Sequence, residues 1–107
     1  MKQLKLSPKC SHDKLIEYGF KKHGLNYKLS SPLYTYKDIP VISVTFLVSG
    51  LDHYIGYDII DNNSDMLYSP YYDPEYAGNN KVLKTISKKM TKMINDMVDK
   101  NIIKGDK

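Results

Sequence analysis

The sequence predicts an α+β domain: an N-terminal helix, an antiparallel sheet of about four strands and a long amphipathic C-terminal helix, with both helices on one sheet face. Three observations predict it. Leu83, Ile86, Met90, Met93 and Met97 recur at helical spacings of three and four residues. Ile42, Val44, Phe46 and Val48, then Ile55, Tyr57 and Ile59, recur at every second position, as on the buried face of paired strands. Ahead of both, Ser11 and Gly24 bracket a short stretch with helix-start and helix-stop chemistry.

Taken in order, Ser11 caps the first helix, with Asp13 in its first turn near the positive end of the dipole. Ser7-Pro8 offers an earlier start, because proline suits the first helical position. Leu15, Ile16, Tyr18 and Phe20 form its apolar side, and Lys21, Lys22 and His23 fall in its last turn. Gly24 then supplies a left-handed end. Residues 1–10 and 104–107 read as loose ends of a single domain spanning 1–107.

From Asn26 to Tyr36 runs a tyrosine-bearing strand, or a pair broken near Ser30-Ser31-Pro32. Pro40 opens a cleaner strand, Ser49-Gly50-Leu51-Asp52 carries turn chemistry, and the return strand places His53, Ile55, Tyr57 and Ile59 on one side. Asp61-Asn62-Asn63-Ser64-Asp65 is the next turn, followed by a short strand at Met66–Ser69. Asn79 or Asn80 caps the last helix. Asn101 stops it, with Ile102 folding back.

A length of 107 residues, of which 41% are hydrophobic, suits one soluble domain. A single cysteine, Cys10, excludes an internal disulfide and any multi-cysteine metal site. No stretch is apolar enough to span a bilayer, and the N-terminus lacks the apolar core of a signal peptide. The expected location is therefore cytoplasmic. All 16 basic residues are lysine, and Lys, Asn, Ile and Tyr make up 43 of the 107 residues. Those four are the products of AT-rich codons, which points to a low-GC bacterium or one of its phages or mobile elements.

Charge is segregated along the chain. Residues 1–37 carry a net +6, residues 38–80 carry no lysine and a net −7, and residues 81–107 carry a net +5.

Catalytic motifs are missing from the sequence. Cys10 and His12 share a side if extended, but no third group stands near to orient them. His12 and His23, eleven residues apart, would lie about 16 Å from each other on one helix and cannot share an ion there. The Asp61–Asp65 segment alternates oxygen ligands as a calcium loop does. Met66, however, stands where that loop needs glycine, and Tyr72 where it needs a bidentate glutamate. Neither a cofactor nor a metal is expected, and the expected class is a non-enzymatic protein.

Tyrosines carry the strongest functional signal. Nine of the ten lie between Tyr27 and Tyr76. Tyr68, Tyr71, Tyr72 and Tyr76 share one loop with Asp73, Glu75 and two prolines. Stiff amphipathic rings beside acids suit a protein-binding surface, and these six residues are its candidates. The competing reading packs the same rings against the sheet edge and the last helix. The alternative function is nucleic-acid association through the row Lys84, Lys88 and Lys92, which requires steep salt dependence. The methionine stripe reads as core, with self-association through the C-terminal helix if the sheet leaves it uncovered.

Three segments also carry a resemblance: Leu15-Ile16-Glu17-Tyr18-Gly19-Phe20, the tyrosine-bearing sheet, and the ending Met97-Val98-Asp99-Lys100-Asn101-Ile102-Ile103-Lys104. Together, over most of the chain, they resemble small uncharacterised proteins carried by phages, prophages and mobile elements of low-GC Gram-positive bacteria. The resemblance implies a protein that binds and modulates a host or phage protein. It assigns no role to any residue.

Overall fold

A computed structural model of the chain describes residues 2–49, 54–73 and 81–105. Its centre is a hairpin of two long strands, β3 (Asn26–Tyr36) and β4 (Ile39–Ser49). They are joined by Lys37 and Asp38, both at positive φ (50° and 64°), the backbone a two-residue hairpin turn requires. β5 (Tyr54–Asp61) pairs with the other edge of β4. β2 (Lys21–His23) flanks β3, and β1 (Lys2–Lys5) and β6 (Met66–Leu67) sit end to end along the outer edge of β5. Among the described residues the sheet has six strands in the order β1-β5-β4-β3-β2, with β6 also on β5, and every pairing is antiparallel.

Expected as about four strands, the sheet gains two from its N-terminal part. Residues 2–5 form β1 instead of a loose end, with Leu4 opposite Ile55. Leu6 then bridges Ile103, Ser7 N–H donates to the Ile102 carbonyl (2.9 Å), and Lys104 N–H donates to that of Lys5 (2.9 Å). The two chain ends therefore hold each other, and the described part of the expected loose tail, Lys104 included, is tied down. A segment with only Leu4 and Leu6 between lysines has no readable period. It is ordered by the unpaired edge of β5.

Helix α1 (His12–Tyr18) is shorter than expected. Ser11 caps it as anticipated, accepting from Lys14 N–H (3.3 Å). Gly19, not Gly24, ends it, at φ 123° with its N–H shared between the Leu15 and Ile16 carbonyls. The reason is packing. On a continuous helix Leu15 and Phe20 would diverge by about 140°. Stopping at Gly19 lets both enter the core, where each is buried. Lys21–His23 then becomes β2, and Gly24 (φ 62°) lies in the two-residue turn into β3.

β3 is one strand, with register shifts between Pro32 and Tyr34 and between Tyr34 and Thr35 where a break was expected. After a short helical turn, α2 (Ser69–Tyr72), the chain reaches α3 (Lys81–Asp99). Its stripe is as predicted: Ile86, Met90 and Met97 are fully buried, and Met93 is half-buried. Asn101, at φ 61°, stops it, and Ile102 folds back with its N–H on the Met97 carbonyl (2.9 Å). The expected caps Asn79 and Asn80, the turn at 50–52 and His53 lie outside the described residues.

One core gathers these elements. Ile42, Val44, Phe46 and Val48 of β4 and Ile55, Tyr57 and Ile59 of β5 meet Leu15, Phe20, Ile86, Met90 and Met97 from the helical side. The opposite sheet face, with Ser43, Thr45, Leu47 and Asp58, is half-exposed.

Candidate functional site

Three of the expected partner-binding tyrosines, Tyr68, Tyr71 and Tyr72, face inward. β1 covers residues 54–57 of β5 and β6 covers 60–61, which leaves a gap at Ile59. Tyr68 and Tyr72 close it: Tyr68 N–H donates to the Ile59 carbonyl (2.8 Å), and the Tyr72 hydroxyl accepts from Ile59 N–H (2.9 Å). Tyr71 pairs hydroxyl to hydroxyl with buried Tyr57 (3.0 Å), and the two rings stack edge to face at 6.4 Å. Tyr72 continues the row, 5.4 Å from Tyr71. All three side chains are half-buried against the core, so these contacts support the packing reading of the loop. Asp73 is exposed and ends the turn, its N–H on the Ser69 carbonyl (2.9 Å). Glu75 and Tyr76 lie outside the described residues.

Burial leaves a titration signature in this aromatic group. It raises the phenol of Tyr57 well above the usual value of 10.0, with neighbouring hydroxyls reinforcing the shift, and raises that of Tyr72 as well. Tyr18 is pushed up to about 12, first by burial and then by its hydrogen bond to the Asp96 carboxylate. A phenol that keeps its proton longer when folded contributes stability that is complete below the unfolded value. That stability is lost as pH rises through the folded one. Stability is therefore expected to fall between pH 10 and about 12, with late phenolate absorbance appearing together with unfolding. Full phenolate formation in a chain that keeps its near-ultraviolet dichroism would contradict this.

The alternative residues Lys84, Lys88 and Lys92 lie exposed one turn apart on α3, with Lys81 and Lys89 also exposed. Cys10 is half-buried, and burial raises its thiol more than nearby Lys14 and the Ser11 backbone lower it, so its nucleophilic form is disfavoured. His12 is engaged elsewhere: its Nδ1 lies 2.7 Å from the Tyr27 hydroxyl. His23 is on β2, on a different element from His12. Among the described residues no group of three or more His, Cys, Asp or Glu side chains could hold a metal ion. The Asp61–Asp65 segment is a turn in which Asp61 Oδ1 accepts Asn63 N–H (2.9 Å) and Asp65 takes φ 58°.

Sequence reading missed how the fold arranges charge and exposed apolar groups along the strands. At one end of the sheet stand the β3–β4 and β5–β6 turns. Asn62 ties them together: its N–H reaches the Val41 carbonyl (2.8 Å), and its Nδ2 donates to the Pro40 carbonyl (3.1 Å) and Ser43 Oγ (2.9 Å). This end carries Tyr36, Ile39, Met66 and Leu67, which are 60%, 65%, 68% and 47% exposed, with Asp38, Asp61 and Asp65 beside Lys37. By strand alternation Tyr36, Ile39 and Leu67 stand on the helix-free face. The sequence marked a strand start at Pro40 and a turn at Asp61–Asp65, but not what gathers there.

Comparison with solved structures finds the same fold in a DUF1831 family protein from Lactobacillus plantarum. The TM-score is 0.71 and the identity 13%, and the match covers 92% of this chain and 82% of that one. At that identity the likeness concerns the fold alone. No family model and no curated protein matches the sequence. No helix among the described residues is long and apolar enough to cross a membrane.

Proposed function

We propose that this chain is a non-enzymatic binding protein that docks a protein partner on the acidic, apolar end of its sheet. The observation that carries the reading is the exposure of Tyr36 and Ile39 at the β3–β4 turn and of Met66 and Leu67 after the adjoining β5–β6 turn. Scattered exposed apolar residues are ordinary, but several of them among three aspartates and a single lysine, whose Nζ lies 5.5 Å from the centre of the Tyr36 ring, suit an interface. The partner's matching surface is apolar at its centre and basic at its rim. This keeps the acidic, aromatic character expected from the sequence and moves it from the Tyr68–Tyr76 loop to the turns. The composition and the resemblance support a cytoplasmic setting in a low-GC bacterium, and a modulator carried by a phage or mobile element.

Affinity capture from such a host, with and without nuclease, tests it. Tyr36→Ser with Ile39→Asp is expected to abolish capture while changing stability by only about 1 kcal/mol, because both side chains are exposed. Capture that survives this pair defeats the reading. Capture that vanishes with nuclease moves the function to Lys84, Lys88 and Lys92.

A further inference from the structure

A cleft of about 720 Å³ lies between α1 and α3, a size that suits a small ligand. Its floor is the middle of β3, where Leu29 and Ser31, opposite Phe46 and Val44, point to the helix side. Lys14, Glu17 and Tyr18 line one wall, within about 100° of one another around α1. Met93 and Asp96 of α3, with Lys100 directly after it, line the other. Lys100 N–H still donates to the Asp96 carbonyl (3.0 Å), so helical spacing holds these three within about 60°. Each wall thus brings one ammonium and one carboxylate to the same concavity. The Tyr18 hydroxyl donates to the Asp96 carboxylate and joins the walls at one point. A carboxylate accepts at two oxygens, so this bond leaves Asp96 able to take a further donor. Leu29 and Met93, both half-buried, give the cleft an apolar component.

We propose that this cleft binds a small zwitterion with an apolar body, an amino acid such as leucine. The ligand's ammonium sits at Asp96, its carboxylate at Lys14 and Lys100, and its side chain against Leu29 and Met93. Both signs line the cleft, so a ligand carrying both exchanges the hydration of each for an opposite charge. A ligand with one charge satisfies half of the cleft and leaves the other half to water. The site uses none of the residues assigned to partner docking.

Amide spectra of the intact chain titrated with leucine test the proposal. The comparison probes are isocaproate, which lacks the ammonium, and isoamylamine, which lacks the carboxylate. Saturable shifts are expected at Lys14, Tyr18, Ser31, Asp96 and Lys100, with each single-charge analogue binding about ten-fold more weakly or worse. Asp96→Asn keeps an acceptor for the Tyr18 hydroxyl and is expected to weaken leucine by about that factor without weakening isocaproate. Lys14→Gln with Lys100→Gln is the converse, expected to weaken leucine without weakening isoamylamine. The analogue comparison in the unmodified chain is a readout independent of how any variant folds. No saturable shift with leucine, an analogue that binds as tightly as leucine, or an Asp96→Asn chain that loses leucine and isocaproate equally would each overturn the proposal.

Discussion

A chain carrying both Tyr71→Ala and Tyr72→Ala is expected to lose about 4 kcal/mol of stability, a large part of the roughly 5–15 kcal/mol typical of a domain. The two rings extend the aromatic row that begins with Phe46 and Tyr57, and Tyr71 supplies the hydroxyl partner of buried Tyr57. Removing Tyr72 also leaves Ile59 N–H without its acceptor in the gap between β1 and β6. A buried donor without a partner costs about 1–3 kcal/mol. Tyr72→Phe separates the two contributions: it keeps the ring, loses the hydroxyl, and is expected to lower hydrogen-exchange protection most at Ile59. Thermal and denaturant unfolding measure the total. A double variant with an unchanged midpoint would mean that the rings are surface groups after all, and would return the loop to the list of docking candidates.

The second large effect comes from the N-terminus. Deleting residues 2–6 is expected to lower stability by about 3 kcal/mol or more and to make the protein prone to association. The deletion strips β1 from residues 54–57 of β5, baring the backbone of a strand whose inward residues include Ile55 and Tyr57. It removes the packing of Leu4 and Leu6 on the core and the bridge to Ile103. Ile102 and Ile103, now buried, lose their cover. The measurement is the thermal midpoint together with light scattering as a function of concentration. A truncated chain that stays monomeric with its midpoint intact would show that β1 is dispensable.

Both predictions concern parts of the chain whose sequence is weakly patterned, while the strongly patterned parts followed the sequence closely. Helix α3 was legible because Ile86, Met90 and Met97 repeat within one segment, and a local period needs no knowledge of the rest of the fold. The alternation in β4 and β5 was legible for the same reason, as was the left-handed stop at Asn101. The first helix was only partly so. Its start at Ser11 is local chemistry, but choosing between Gly19 and Gly24 as its end depends on where Phe20 is buried.

The candidate surfaces show the same division. Residue types along the sequence marked tyrosine, acid and lysine, but not the direction each side chain takes. Tyrosine is amphipathic, so Tyr71 and Tyr72 suit a docking loop and a core edge equally well. The unpaired stretch of β5 at Ile59 drew them inward. The two acidic turns come from segments far apart in the chain. Their meeting follows from the antiparallel order of the sheet.

By itself, then, the amino-acid sequence determined the α+β class, the long C-terminal helix with its buried methionine stripe, the central strands and the segregation of charge into three blocks. Only the tertiary structure decided that residues 2–5 form a strand, that Tyr68 and Tyr72 seal a gap on β5, and that two acidic turns meet at one end of the sheet. Periodicity and capping act between neighbours a few residues apart. Edge pairing, gap closure and charge convergence act between residues that meet only when the chain has folded.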